Sequence, residues 1–404
     1  MKDKSIIIKA APLFLAILID SAGMGLFFPL LNGLILYPKV SLLAASTPEH
    51  MRYFLYGLLL SIYMIFWFFG SAILGDFSDG LGRRRALSIC LFGSFIGYLL
   101  AGIAVIEHSF MLLLLGRIID GFTAGSQPIA QAAIVDMSLA KNRVRNLGYI
   151  MLAGSIGFVI GPMLGGVLSD SHIYHAFNYS TPLYFAAFIS LLNAALVFFT
   201  LKESLLDGRK IKIRMMYAVE LFVDAFRHKA IRQLSIILLW TMIGWSAYFS
   251  YISLLLWHRY HYDSIQVAEF WTVLAIGYTI GFAYLVGKCA KFPPKQVTFW
   301  GFLITGMGIM WMTVTHSQEI AWISALIIGM ANGVGYTTLV GMFSNQVDDA
   351  RQGWVMGITG SLMAAGIAIT TFFAGFLTQL NVNIPFVVSF SAYAICVIWI
   401  GLNR

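Results

Sequence analysis

A polar stretch, GDFSDGLGRRRAL at residues 75–87, separates two long apolar runs of the chain. It places two carboxylates, three glycines and three consecutive arginines in a sequence that is 59% hydrophobic and only 11% charged. The runs on either side are apolar all round rather than on one face, and this pattern indicates helices that span a membrane. Since glycine permits tight reversals, the stretch is predicted to be a short turn between two spanning helices.

Apolar runs of spanning length recur along all 404 residues. Twelve are predicted, at residues 8–36, 53–79, 86–106, 110–137, 146–170, 181–201, 231–257, 266–287, 296–315, 320–345, 353–378 and 385–403. The expected fold class is therefore an all-α membrane protein with twelve transmembrane helices in two pseudo-symmetric six-helix bundles. An even number of spans places both ends of the chain on one side of the membrane.

Most of the 26 lysines and arginines fall in the loops on the N-terminal side of these spans. Lys39, Arg52 and Arg259 fall on the opposite side, and Arg117 lies inside a span. This asymmetry predicts that both termini are cytoplasmic, because short cytoplasmic loops are enriched in basic residues. The net charge of +8 is then explained by orientation and by contact with membrane lipids, and nucleic acid is not expected as a partner.

The longest polar stretch, residues 202–229, separates six predicted spans from six. The predicted domains are an N-terminal six-helix bundle at 1–201, a cytoplasmic linker at 202–230 and a C-terminal six-helix bundle at 231–404. Within the linker, residues 213–228 read IRMMYAVELFVDAFRH and have an amphipathic pattern. This segment is predicted either to lie along the membrane surface or to serve only as a tether between the bundles.

The two bundles carry traces of an internal duplication. Glycines of the fifth span recur 209 residues later, as Gly357, Gly366 and Gly375. The polar stretch has a degraded copy 212 residues later, GKCAKFPPKQV, in which Lys291 replaces Asp79. Duplicated six-helix units are characteristic of secondary transporters, whose substrate site lies near the membrane midplane between the repeats.

Three ionisable residues fall deep inside predicted spans. At about 1.5 Å per residue, Asp20 lies about 16 Å and Asp120 about 15 Å into a core about 30 Å thick. Arg117 precedes Asp120 by three residues and therefore shares its face of the helix. An unpaired charge at this depth costs at least about 2.5 kcal/mol, so we expect Arg117 to pair with Asp20, Asp120 or both. Such a cluster predicts proton coupling, with a permanent structural ion pair as the alternative.

The C-terminal spans contain no comparable buried charge and offer aromatic and amide side chains instead. The candidate substrate-binding residues are Gln127 and Gln131 in the fourth span and Trp245, Tyr248, Tyr278, Asn332 and Tyr336 in the C-terminal half. Aromatic walls with a few polar groups are typical of sites for amphipathic organic molecules. The alternative for each aromatic residue is packing or contact with lipid.

Asp79 ends the second predicted span, where a carboxylate is unfavourably placed because a helix C-terminus carries partial negative charge. It is therefore predicted to find an arginine or a helix N-terminus from a neighbouring element. The candidate residues of this conformational latch between the bundles are Gly75, Asp79, Gly82, Arg83 and Arg84, with the glycines allowing a tight reversal and close helix contact. The alternative is a turn with a purely structural role.

Other classes of function lack their motifs in this sequence. The three cysteines have no metal-ligand spacing, and all eight histidines fall in loops or near the ends of spans. The sequence has no GxxxxGK[ST] nucleotide-binding motif and no recognisable nucleophile–base pair. We therefore expect no metal, no cofactor, no ATP-driven mechanism and no enzymatic activity.

The motifs resemble those of the major facilitator superfamily. The polar stretch is similar to the signature G-x-L-a-D-r-x-G-r-[kr]-x-x-l between that family's second and third helices, except that Gly80 replaces a basic residue. Arg117 and Gly121 match its fourth-helix motif, with Asp120 where glutamine is common. The fifth span matches the antiporter motif G-x8-G-x3-G-P-x2-G-G through Gly148, Gly157, Gly161, Pro162, Gly165 and Gly166.

Residues 18–31, LIDSAGMGLFFPLL, resemble the first helix of twelve-helix drug:proton antiporters, including tetracycline exporters. The resemblance covers essentially the whole N-terminal half, whereas the C-terminal half matches only in helix count and degenerate repeats. It implies a proton-coupled exporter of small amphipathic molecules that works by alternating access, as a monomer in a bacterial inner membrane. An importer of a metabolite or iron chelator and a polytopic membrane enzyme are the alternatives.

The fifth span also has a physical reading of its own. Gly154, Gly157, Gly161 and Gly165 lie on one helical face, which predicts a smooth groove along which another helix can move. Pro162 removes one backbone hydrogen bond and is predicted to kink the helix. Plain packing explains the glycines equally well.

Overall fold

The computed structural model describes residues 2–36, 42–137, 143–204, 216–315, 317–347 and 352–402. Within these ranges the secondary structure is helical, without strands. The helices are α1 (Lys2–Leu31), α2 (Glu49–Leu81), α3 (Arg83–Ile106), α4 (Phe110–Thr123), α5 (Ser126–Met137), α6 (Arg143–Ser169), α7 (Thr181–Thr200), α8 (Tyr217–Arg227), α9 (Lys229–Tyr260), α10 (Ser264–Ile280), α11 (Val286–Cys289), α12 (Pro294–Val314), α13 (Gln318–Ser344), α14 (Gln352–Leu380) and α15 (Ile384–Leu402). Short π-helical segments extend α1 (Asn32–Leu36) and join α10 to α11 (Gly281–Leu285).

Eleven helices in the described part of the chain are long and apolar enough to cross a membrane. Each corresponds to one of the twelve predicted spans, and the remaining span, predicted at 110–137, is divided into α4 and α5. The protein is therefore a multi-pass membrane protein of the expected all-α class, with one span that is not a continuous helix.

The break in the fourth span has a local cause. Pro128 lies in the first turn of α5 and has no N–H to donate to the carbonyl of Ala124, and its ring would clash with that carbonyl in a continuous helix. The chain instead turns tightly after α4, where the Gly125 N–H donates to the Thr123 carbonyl at 2.8 Å. The Thr123 hydroxyl also bonds back to the Ile119 carbonyl at 2.8 Å, a contact that bends helices.

The chain divides into two compact units. One consists of Met1–Ser46 with Ile62–Tyr217, and the other of Thr47–Ser61 with Ala218–Arg404. The domain boundaries expected from the sequence, at 201 and 230, stay a prediction. Within the linker, residues 205–215 lie outside the described residues and α8 follows them. Leu221 of α8 is buried and lies next to Gly357 of α14, so this helix packs on the second unit by its apolar face.

In the first unit, α1 occupies the glycine groove of α6. A Cβ at Gly157 or Gly161 would collide with the backbone carbonyls of Leu18 and Ala22, and one at Gly165 would lie 2.6 Å from the Leu26 carbonyl oxygen. The backbones of α1 and α6 therefore approach each other more closely than any residue larger than glycine would allow at these positions. Pro162 lies in the same interface, and α6 continues as a helix through it. Gly148 and Gly166, the remaining motif glycines, also lie in α6.

Candidate functional site

Arg117 and Asp120 form a buried ion pair within α4. The guanidinium Nη1 donates to Asp120 Oδ2 at 3.3 Å, and both residues are only 2% exposed. The guanidinium also lies between two aromatic rings, 4.1 Å from the centroid of Phe27 on α1 and 4.1 Å from that of Tyr63 on α2. Its Nε is buried without a hydrogen-bond partner among the described residues. The distance of 3.3 Å is longer than the 2.7–2.9 Å that is usual for a charged hydrogen bond. Cation–π contact therefore contributes much of what holds this cation.

Asp120 reaches its position because α3 and α4 approach closely. A Cβ on Gly97 would lie 2.7 Å from Asp120 Cβ, so only glycine leaves room there. Ser94 and Tyr98, on the same helix as Gly97, lie beside the Asp120 carboxylate. The Tyr98 hydroxyl also abuts Gly23 of α1, three residues after Asp20. Tyr98 therefore links the surroundings of Asp120 and Asp20.

Asp20 has a different partner. Its Oδ2 accepts a hydrogen bond from Ser126 Oγ at 2.7 Å. Ser126 is the first residue of α5, immediately after the break in the fourth span. The start of a helix carries partial positive charge, which favours a nearby carboxylate. Of the pairings expected for Arg117, the ion pair within the described residues is with Asp120, while Asp20 bonds to Ser126 at the start of the second half-helix.

The polar turn between α2 and α3 is organised by Arg83. Its guanidinium contacts Asp79 Oδ1 at 2.6 Å, Asp136 Oδ2 at 3.0 Å and the Ser78 hydroxyl at 2.8 Å. The arginine predicted for Asp79 is thus one of the turn's own, from the start of α3. Asp136, at the end of α5, ties the same arginine to the fourth span.

A carboxylate that the sequence reasoning did not identify caps α3. Glu203 accepts hydrogen bonds from the backbone N–H groups of Arg83 at 2.8 Å and Arg84 at 3.3 Å. Gly82 precedes them with a φ of 99°, and a Cβ there would collide with the Glu203 carboxylate, so glycine is required at this turn. The expectation of close helix contact was wrong for Gly75, because nothing lies within 4 Å of where its Cβ would be.

In the second unit, several predicted substrate-binding residues form one network. The Asn332 amide donates to the Tyr278 hydroxyl, and the Tyr393 hydroxyl donates to Asn332 Oδ1 at 2.8 Å. Trp245 contacts Tyr278 edge-on, with ring centroids 5.3 Å apart. The Tyr248 ring, 5.7 Å from that of Trp245, carries a buried hydroxyl without a hydrogen-bond partner among the described residues.

Comparison with known proteins identifies the family. Residues 13–371 match the profile of the Major Facilitator Superfamily. The chain belongs to this superfamily. It is 26% identical over 391 residues to the class C tetracycline resistance protein of Escherichia coli, covering 94% of this chain and 92% of that protein. It is 25% identical over 374 residues to multidrug resistance protein 1 of Bacillus subtilis, covering 88% and 90%.

A solved structure supports the superfamily fold. The human organic anion transporter MFSD10 superimposes with a TM-score of 0.74 at 20% identity, covering 97% of this chain and 98% of that one. The resemblance to the superfamily that the sequence motifs suggested is thereby confirmed. The solved structure that this chain resembles is that of a transporter.

Against this superfamily background, the remaining predicted residues are distributed over both units. Tyr336 lies one turn after Asn332 on α13, and its hydroxyl donates to Met363 Sδ at 3.7 Å. Gln127 and Gln131 are half-buried on α5, the half-helix that begins at Ser126. Their roles, like those of the ion pair and the latch, stay predictions.

Proposed function

We propose that this superfamily member is a proton-coupled transporter that exports small amphipathic organic molecules by alternating access. The observation that carries the proposal is an imbalance of charge inside the first unit: two carboxylates, the buried Asp120 and the half-buried Asp20, accompany one guanidinium, Arg117. In a site of low dielectric an unbalanced negative charge is costly, and uptake of one proton removes it. Proton binding therefore depends on how far the two acids are withdrawn from water.

Asp20 is the better candidate for the exchanging proton. Asp120 already has Arg117 as a counter-charge, whereas the Asp20 carboxylate is held by the neutral Ser126 hydroxyl. Asp20 also lies on α1, the helix that fills the glycine groove of α6. A smooth helix interface permits small sliding movements, so protonation of Asp20 and movement of α1 against α6 are proposed to be linked.

The second unit is proposed to contribute to cargo binding. The network of Trp245, Tyr278, Asn332 and Tyr393 offers aromatic faces and neutral polar groups, which suits a cargo that is largely apolar with a few hydrogen-bonding groups. The names of the relatives, a tetracycline resistance protein and a multidrug resistance protein, point to the same class of molecule. We further propose a bacterial inner-membrane location, with cytoplasmic termini and a monomeric state.

The test is transport by purified protein in liposomes with an imposed pH gradient, with tetracycline as the first probe and other amphipathic drugs after it. We expect movement of drug against the direction of proton flow. Asp20→Asn is expected to abolish gradient-driven transport. Asp170→Asn, a matched change in a loop where the carboxylate bonds to His172, is expected to keep it. Drug movement along the proton flow would instead identify an importer, and wild-type rates in Asp20→Asn would eliminate Asp20 as the coupling residue.

A further inference from the structure

The second unit has an apolar groove of about 610 Å³ between the end of α10–α11, α12 and α13. Its lining includes Cys289, Phe292, Trp300, Ile304 and Met330. Phe292, Trp300 and Ile304 are 51%, 58% and 43% exposed, so the groove opens at the outer surface of the unit. In a membrane protein, exposed apolar surface is typical of contact with lipid, and an apolar groove there accommodates an acyl chain better than water.

One end of the groove is strongly basic. Lys288 and Lys291 flank Cys289 and are exposed, and neither forms an ion pair with a carboxylate in the described part of the chain. Their ammonium groups lie over the rings of Tyr284 at 4.2 Å and Phe292 at 5.2 Å. The sequence from residue 270 to residue 318 contains no aspartate or glutamate.

This basic end is the degraded copy of the polar turn. In the first copy Arg83 is neutralised by Asp79 and Asp136. In the second copy Lys291 stands where the first has Asp79, so an internal counter-charge has been replaced by an additional cation. Neighbouring positive charges without an acid between them favour binding of an anion from outside the segment.

We propose that this groove is a binding site for an anionic phospholipid, with one acyl chain in the apolar groove and the head-group phosphate against Lys288 and Lys291. The two parts of the site match the two parts of such a molecule. Basic sites beside transmembrane helices are known to select anionic head groups. The proposal concerns the lipid surface of the second unit and is independent of the cargo and direction of transport.

Cys289 provides a native reporter for the site. It lines the groove and is partly exposed, whereas Cys90 and Cys396 are buried. The protein is reconstituted in nanodiscs of phosphatidylcholine with or without phosphatidylglycerol, and alkylation of Cys289 by N-ethylmaleimide is followed by peptide mass spectrometry. Phosphatidylglycerol is expected to slow alkylation in the wild type. This slowing is expected to disappear in Lys288→Gln/Lys291→Gln and to persist in the control Lys202→Gln/Lys229→Gln.

Native mass spectrometry supplies a second measurement. Each lysine near an anionic lipid surface contributes about fivefold to lipid binding, so the double variant is expected to retain phosphatidylglycerol about 30-fold less than the wild type. Equal alkylation rates in the two lipids would overturn the proposal. Slowing that survives in Lys288→Gln/Lys291→Gln would also overturn it, because it would reflect the surface potential of the bilayer and not a bound head group.

Discussion

Replacing Asp120 with asparagine tests whether the buried pair is charged. Asn keeps the size and hydrogen-bonding shape of the side chain but leaves the guanidinium of Arg117, 2% exposed, without a counter-charge. Removing one partner of a buried ion pair costs about 3–5 kcal/mol. The separation of 3.3 Å and the rings of Phe27 and Tyr63, which continue to hold the cation, put the expected loss near 3 kcal/mol.

The loss is measured as a change in the midpoint of thermal unfolding of the purified protein. For a unit of about 200 residues, each kcal/mol shifts the midpoint by about 2–4 °C, so Asp120→Asn is expected to unfold about 6–12 °C below the wild type. Adding Arg117→Met removes the stranded cation and is expected to restore most of the loss. The matched control is Asp136→Asn at a partly exposed ion pair, where the cost is at most about 1 kcal/mol.

The result that would refute this reasoning is a midpoint for Asp120→Asn within the error of the wild type. The side chain of Asp120 would then already carry a proton in the resting protein, and asparagine would be a neutral replacement for a neutral group. A double variant no more stable than Asp120→Asn would refute it in a second way, because the cation would not be the source of the loss.

Two further predictions concern the packing of the first unit. Glu203→Ala removes the cap of α3 and is expected to cost about 1 kcal/mol, seen as a midpoint lowered by a few degrees; an unchanged midpoint would mean that water replaces the carboxylate without loss. Gly161→Ala forces a Cβ into the Ala22 carbonyl and is expected to lower the free energy of unfolding by about 1–3 kcal/mol and to slow transport. Gly75→Ala, the control with open space around it, is expected to leave stability unchanged or to raise it. Equal effects of the two glycine changes would contradict a close α1–α6 interface.

The membrane spans were predictable from the sequence because a helix in lipid must be apolar over its whole length, a signal that does not depend on tertiary contacts. The exception is the fourth span, where hydropathy over residues 110–137 predicts one continuous helix but Pro128 interrupts it. The pairing of Arg117 with Asp120 was within reach because the two residues are three apart on one helix.

The remaining contacts of the site depend on how distant segments meet. Asp20 and Ser126 are 106 residues apart, and Arg83 and Glu203 are 120 apart, so neither pair leaves a periodic signal in the sequence. Gly75 was expected to serve close packing because it lies in a glycine-rich motif, but whether a neighbouring backbone approaches a glycine is decided by helix rotation. Only the assembled unit fixes that rotation.

The interruption of the fourth span has a mechanical consequence. Arg117 and Asp120 belong to one rigid segment and Ser126 to another, and only Ala124 and Gly125 join the two. A torsion change in that two-residue joint can withdraw the Ser126 hydroxyl from Asp20 while the cation and its aromatic clamp stay in place. The two acids thus need not respond together. Asp120 keeps its partner on the same rigid helix, whereas the hydrogen bond of Asp20 depends on the angle between α4 and α5.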